Sequence, residues 1–185
     1  MRSWPIQFAA EIMHAGGVIA YPTEAVWGLG CDPFNERAVR QLLQMKNRPI
    51  TKGLILISGD IADFQICLAQ LSPAQREMLQ QQWPGFKTWV LPDTGFAPPW
   101  IKGDNNGVAM RVSAHPLVRE LCRTFGGPIV STSANITGRA SARYRWQVER
   151  YFHGQLDYVL AGPLGGAKQV SSIKDIISGK ALRGT

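Results

Sequence analysis

The sequence predicts a single α/β domain in which helices flank a twisted, open sheet of mixed parallel and antiparallel strands. Short apolar runs typical of buried strands alternate along the chain with segments whose apolar residues recur at helical spacing. Such alternation is typical of α/β folds. The chain has 185 residues, of which 45% are hydrophobic, and this is enough for one core, so we expect one domain over residues 1–185.

Six segments carry the helical pattern. Asn35 is suited to the N-cap of the second helix, and Ser72 followed by Pro73 suits the start of the fourth. The predicted helices cover residues 3–14, 35–45, 60–68, 72–82, 116–123 and 146–152.

Six short runs carry the strand pattern. They cover residues 18–21, 54–57, 88–91, 108–112, 128–130 and 157–160. After the first run, Gly28 and Gly30 predict a loop that can approach a ligand.

Composition narrows the class of partner and the compartment. The net charge is +7 and the sequence pI is near 9.7, which favours phosphate-bearing partners, either nucleotides or RNA. The 3 cysteines show no CxxC spacing, which argues against a disulfide framework and a cysteine zinc site and favours a reducing cytoplasm. No run of about 18 apolar residues is present, so we expect no membrane span.

A hydroxyl-rich segment, STSANITG at residues 131–138, follows the apolar run at 128–130. Ser131, Thr132, Ser133 and Asn135 place four short polar side chains within five positions, each able to form hydrogen bonds. A solvated turn is the competing interpretation, because Ser, Thr, Asn and Gly are the usual turn residues.

Three cations surround one loop in the segment KNRPITKG at residues 46–53. Lys46 ends a helix, where the helix dipole also favours a cation. Arg48 precedes Pro49, which favours an extended backbone, and in an extended chain Lys46 and Arg48 would face the same way. With Lys52, these side chains predict a site for an anionic ligand.

The first predicted strand delivers Pro22, Thr23 and Glu24 at its carboxyl end. Ligands of open α/β sheets collect outside the carboxyl ends of strands, so Thr23 is placed for a substrate contact. For Glu24, a helix or turn cap is a serious alternative.

These segments together resemble the YrdC-like threonylcarbamoyl-AMP synthases. That family's pattern has a strand ending in PTE, then a KxR pair, then SxN within STSAN, and the resemblance runs nearly from end to end. The order and spacing of Trp83-Pro84-Gly85, residues 111–115 and residues 165–175 also agree with it.

The resemblance implies a YrdC-like catalytic domain with a concave basic cleft and a specific reaction. In that reaction L-threonine and bicarbonate form a carbamate, whose oxygen attacks the α-phosphorus of ATP to give threonylcarbamoyl-AMP and pyrophosphate. Downstream tRNA-modifying proteins would use the adenylate to modify adenosine 37 of tRNA. Mg²⁺ would be held mainly by ATP oxygens and water, with no metal ligand from the protein.

The resemblance also implies roles for individual residues. Lys46 and Arg48 would be catalytic, as cations that neutralise carbamate and triphosphate. The implied site for threonine and bicarbonate comprises Thr23, Lys52, Arg111, His115 and Ser133, and the implied nucleotide site comprises Arg48, Ser133, Asn135, Arg143 and Ser171.

A non-catalytic RNA-binding module is the alternative function. A cationic surface would suit a phosphate backbone equally well, so weak binding of tRNA or other RNA is compatible with the composition. The six tryptophans form no periodic surface stripe with Lys and Arg, and we interpret Trp83 and Trp89 as core residues, which gives base stacking little support.

Overall fold

The structure is a computed structural model that describes residues 3–184. Its nine strands form one sheet in the order β7-β1-β2-β6-β3-β5-β4-β8-β9. The strands are β1 (Ile19–Pro22), β2 (Trp27–Gly30), β3 (Ile55–Ser58), β4 (Lys87–Pro92), β5 (Gly107–Val112), β6 (Ile129–Ser133), β7 (Tyr158–Val159), β8 (Ser172–Asp175) and β9 (Ala181–Arg183).

Seven α-helices accompany the sheet in the described part of the chain. They are α1 (Trp4–His14), α2 (Glu36–Met45), α3 (Gln65–Leu68), α4 (Pro73–Gln82), α5 (Pro99–Lys102), α6 (Pro116–Phe125) and α7 (Arg145–Tyr151). Short 3-10 turns occupy Ile50–Lys52 and Ile61–Phe64. Within residues 3–184, no helix is both long and apolar enough to cross a bilayer.

The sheet is mixed, as predicted. Strand β1 pairs in parallel with β7, β3 with β5, and β4 with β8, whereas the other five neighbouring pairs are antiparallel. Strands distant in sequence therefore lie side by side at the centre, where β6 pairs with both β2 and β3.

The two faces of the sheet bury different helices. Side chains alternate between the faces of a strand. In β3, Leu56 joins a core cluster that contains Leu42 of α2 and Leu79 of α4. The next residue, Ile57, joins a second cluster that contains Met13 of α1 and Leu121 of α6.

Most predicted elements are confirmed within a few residues of their ends. Asn35 caps α2 by accepting a hydrogen bond from the Ala38 amide, and Ser72 forms a capping box with Gln75 at the start of α4. The predicted helix at 60–68 is instead a 3-10 turn followed by the short helix α3.

The prediction of a loop at Gly28 and Gly30 is wrong, because both glycines belong to strand β2. The reason for glycine here is steric. A Cβ atom at Gly30 would lie 2.8 Å from both Tyr21 Cε1 and the Val130 carbonyl oxygen. Strands β8 and β9 were not predicted either.

Candidate active site

A cavity of about 460 Å³ opens on the sheet face that α1 and α6 cover elsewhere. Register places the lining residues: Ile55 of β3 lies opposite both Ala109 of β5 and Ser131 of β6, so the three side chains share one face. Strands β2, β4, β8 and β9 contribute to the remaining walls, together with the turn after β1 and the loops around Lys52 and Lys102.

The cavity gathers six of the ten predicted site residues. Those on its wall are Thr23, Arg48, Lys52, Arg111, Ser133 and Ser171. The other four, Lys46, His115, Asn135 and Arg143, are not part of the wall. The fold therefore brings together residues from widely separated segments. Only one residue of the KxR pair and one of the SxN pair lie on the wall.

The expectation that an extended chain makes Lys46 and Arg48 face the same way is wrong. Helix α2 ends in a Schellman motif: the Asn47 amide donates to the Gln44 carbonyl and the Arg48 amide donates to the Leu43 carbonyl, each at 3.0 Å. Asn47 takes the left-handed conformation that this motif requires, with φ of 49°. The chain reverses there, so the two cations have different surroundings.

Arg48 is half-buried at the cavity wall. Its Nη2 donates to the Gly53 carbonyl at 2.8 Å, and within residues 3–184 it forms no ion pair with a carboxylate. Burial lowers its pKa below the ordinary value. Lys52 is exposed on the same wall. These two charges are therefore available to an anionic ligand.

Lys46 is buried behind the wall, with 2% of its surface exposed. Its Nζ donates to the carbonyl oxygens of Ser133 and, at 2.7 Å, Asn135. Burial, and secondarily the positive charge of Arg48, lowers the pKa of Lys46 from 10.5 to about 7. The two carbonyl acceptors oppose that shift, because they favour the charged ammonium.

Arg111 faces the cavity but its charge is compensated. It forms a buried ion pair with Glu24, and its Nε donates to the Gly85 carbonyl at 3.1 Å. The Ser113 hydroxyl donates to Glu24 Oε1 at 2.6 Å. Glu24 is thus an ion-pair partner and not the cap considered from the sequence. Burial lowers the pKa of Arg111, and the charge of Glu24 opposes this.

Hydroxyl groups also line the cavity. The Thr23 hydroxyl donates to the Val26 carbonyl at 2.7 Å, and the Ser133 hydroxyl donates to Asn135 Oδ1 at 2.6 Å. The Asn135 amide group in turn donates to the carbonyls of Ile136 and Arg139 at 3.0 and 2.9 Å. Each hydroxyl keeps its oxygen lone pairs as acceptors.

Two predicted residues lie outside the wall but contact the segment at 163–168. His115 is the N-cap residue of α6, and its Nε2 lies 3.2 Å from the Pro163 carbonyl oxygen. Arg143 is exposed and donates to the Lys168 carbonyl.

The sequence matches the model of the Sua5/YciO/YrdC family, described as "Telomere recombination", over residues 11–184. The chain belongs to this family.

Several bacterial proteins are similar to this chain over nearly their whole length. A protein of Pseudomonas fluorescens Pf-5 named threonylcarbamoyl-AMP synthase is 51% identical over 183 residues, which is 99% of this chain and 98% of that protein. A protein of the same name from Cellvibrio japonicus is 49% identical over 178 residues, or 96% and 94% of the two chains.

Solved structures of the Sua5/YciO/YrdC family share the fold. Sua5 of P. abyssi complexed with L-threonine is 30% identical with a TM-score of 0.87, and the match covers 93% of this chain and 51% of that one. The chain thus spans about half the length of that Sua5 protein. E. coli YciO, with 21% identity and a TM-score of 0.81 over 97% of this chain and 90% of that one, supports the fold.

Arg183, on β9, also lies on the cavity wall and was not among the residues predicted from the sequence. Its Nη2 donates to the Ser171 carbonyl at 3.0 Å and to the Ser171 hydroxyl at 3.2 Å, while that hydroxyl also lies 3.0 Å from Thr88 Oγ1. Although Arg183 is exposed at the edge of the cavity, partial desolvation, then the charges of Arg48 and Arg111, lower its pKa. A three-residue strand carries no periodic signal that could have predicted this placement.

The described residues offer little for a metal ion. No group of three or more His, Cys, Asp or Glu side chains is arranged to hold one within residues 3–184. The carboxylate on the cavity wall is Asp175, whose Oδ1 already accepts from the amides of Ile177 and Ser178 at 3.0 and 2.7 Å. These residues do not fit a carboxylate cage for Mg²⁺.

Proposed function

We propose that this chain is a threonylcarbamoyl-AMP synthase. The observation that carries the proposal is its identity of about half, over nearly the full length, to curated proteins of that name. In the reaction, the amine of L-threonine and bicarbonate form a carbamate with loss of water. A carbamate oxygen then forms a bond to the α-phosphorus of ATP, the bond to the β-phosphate oxygen breaks, and pyrophosphate leaves.

The cations on the cavity wall suit the electrostatics of that step. Two anions must approach each other, so positive charge that is already in place lowers the barrier. Arg48, Lys52 and Arg183 line the cavity, and none of them forms an ion pair with a carboxylate in the described residues. We propose that these three form an anion clamp, the set of cations that holds the carbamate and the triphosphate, with Arg48 as the predicted catalytic residue.

We propose that threonine binds among Thr23, Arg111 and the hydroxyls of β6. Thr23 and Ser133 line the cavity, and their hydroxyl oxygens can still accept hydrogen bonds. The ion pair with Glu24 holds Arg111 in one orientation. His115 contacts the backbone next to this region, so we assign it a supporting contact with the segment at 163–165.

We assign the nucleotide to the side of the cavity bounded by Ser133 and Ser171. Asn135 orients the Ser133 hydroxyl through their hydrogen bond. Arg143 lies beside the segment that leads to Ser171, where it could reach a phosphate or the adenosine. Mg²⁺ would arrive bound to the ATP phosphates, and we propose no protein ligand for it.

We propose that the enzyme works in the cytoplasm, beside proteins that use its product. An acyl phosphate such as this adenylate is an activated carrier of the threonylcarbamoyl group. We propose that a tRNA-modifying enzyme consumes it to modify adenosine 37.

Pyrophosphate release tests the proposed function directly. We expect release from ATP to require both L-threonine and bicarbonate, because the carbamate is the nucleophile. The same assay without either compound serves as the control. Release at an equal rate without threonine would contradict the proposal.

A second candidate function, binding of RNA, is favoured by one surface. Tyr144 and Trp146 are 61% and 56% exposed, and their rings stack 6.3 Å apart at 8°. Exposed Arg139, Arg145 and Arg150 belong to the same segment. Exposed aromatic rings beside cations suit the bases and phosphates of a single strand.

A further inference from the structure

Lys46 joins two segments that the sequence separates by almost ninety positions. Its Nζ donates to the carbonyl oxygens of Ser133 and Asn135, the two residues of the SxN motif. Its own carbonyl oxygen accepts a hydrogen bond from the Thr137 amide at 2.9 Å. The lysine of the KxR motif is therefore bonded to the SxN turn through both its side chain and its backbone.

The turn at 133–137 depends on the Lys46 ammonium as a hydrogen-bond donor to its carbonyl groups. Carbonyl groups that are shielded from water need donors, and leaving one without a partner is unfavourable. The Ser133 carbonyl also accepts from the Asn135 amide at 3.0 Å, but for the Asn135 carbonyl the Lys46 ammonium is the donor that the described residues provide. Removing the ammonium would free the turn at this point.

The end of α2 is shaped to hold Lys46 in that position. Lys46 is the C-cap residue of the helix, and Asn47 reverses the chain with φ of 49°. Arg48 then reaches the cavity wall whereas Lys46 stays behind it.

From this geometry we infer that Lys46 is a positioning residue, which acts on the nucleotide by fixing the 133–137 turn and not as a ligand of substrate. The inference rests on the proposed function, since it takes Ser133 and Asn135 as nucleotide contacts. Ser133 is on the cavity wall, and Asn135 orients its hydroxyl, so a loosened turn would misplace both groups.

Amide hydrogen exchange of the free protein tests the inference without any substrate. Lys46→Met keeps the length of the side chain but removes its donors. We expect exchange of the Thr137 amide and its neighbours to become about tenfold faster or more, while α6 is unchanged. Lys87→Met, which changes an exposed lysine away from the cavity, is the matched control and should leave both regions unchanged.

Binding of ATP alone, measured by calorimetry, supplies the second readout. We expect Lys46→Met to weaken ATP binding by about the same factor as it speeds exchange. Lys46→Arg keeps N–H donors, so it should restore slow exchange and ATP affinity together, and it decides the matter even if the Met variant does not fold.

Two results would overturn the inference. The first is an unchanged turn in Lys46→Met with ATP binding lost, and the second is slow exchange restored in Lys46→Arg without ATP binding. Either would mean that the ammonium touches the nucleotide itself. The exchange measurement does not depend on turnover, so its outcome is separable from a failure of the threonine-dependent assay.

Discussion

Arg48 and Lys46 are two positions apart, but their side chains have different surroundings and we therefore propose different roles for them. Arg48 lies on the cavity wall with its guanidinium donating to the Gly53 carbonyl, and Lys46 lies behind the wall with its ammonium on two carbonyls. A guanidinium offers five N–H groups in a planar fork and can bind a backbone carbonyl and a ligand oxygen at once. An ammonium in the place of Arg48 could not keep both contacts in the same geometry.

We therefore expect Arg48→Lys to lower kcat/KM for ATP by roughly 10- to 100-fold, since a hydrogen bond to a charged group contributes about 1.5–3 kcal/mol. Steady-state pyrophosphate release measures this. Arg40→Lys is the matched control, because Arg40 is an exposed residue of α2 that pairs with Glu36 across one helical turn. Turnover of Arg48→Lys close to that of the control would show that the clamp is wrongly assigned.

At the scale of elements, strand β2 allows the sheet to bring β6 and the turn after β1 to the cavity. It pairs with β1 on one side and β6 on the other, and both of its glycines are buried. The Tyr21 ring lies over Gly30, where any side chain would collide with it. Glycine in a strand often marks such a close approach.

Gly30→Ala should destabilise the protein by about 1–3 kcal/mol, because overpacking a closed core forces its neighbours to move. The midpoint of urea unfolding measures the loss. Gly127→Ala is the control, since a Cβ there has nothing within 4 Å. Equal midpoints for the two variants would mean that Tyr21 can move aside at no cost.

At the scale of the whole molecule, the net charge of +7 acts at two separate places. One is the cavity, to which the loop after α2 brings Arg48 and β9 brings Arg183. The other is the exposed segment around Tyr144 and Trp146. Salt dependence distinguishes a few cations in a cavity from a surface that neutralises a phosphate backbone.

If RNA binds at that segment, its affinity should fall with salt at a slope of about −0.7 for each phosphate neutralised. Arg150→Gln should then make the slope shallower by about that amount, whereas Trp146→Ala should weaken binding equally at every salt concentration. Fluorescence anisotropy with a single-stranded oligonucleotide measures both. If neither variant changes the affinity for RNA, this surface is not the binding site.

Local patterns were sufficient for most of the fold. Helical spacing and capping residues located α2 and α4, because a cap and its helix lie within a few residues of each other. Short apolar runs located β1, β3, β5 and β6, because their side chains are buried. Strand β2 was missed, since its glycines are explained by Tyr21 and Val130 across the sheet and not by a turn.

The candidate site was predictable in part. Motifs identified Thr23, Arg48 and Ser133, and the structure places all three on one wall. Residue type could not distinguish Lys46 from Arg48, because a left-handed Asn47 sends their side chains to different surroundings. Arg183 carries no local signal and reaches the cavity only because β9 pairs with β8.

Local patterns were thus enough to predict the α/β class, the main helices and strands, and the polar segments that meet at the cavity, since each of these depends on neighbours in the chain. Which charges are free and which are paired follows from the tertiary structure. Glu24 is an ion-pair partner because β5 brings Arg111 to it, and Lys46 donates to two carbonyls because β6 and the turn after it bring Ser133 and Asn135 to its ammonium. Both outcomes depend on contacts between strands and helices that lie far apart in the chain, and no local pattern contains that information.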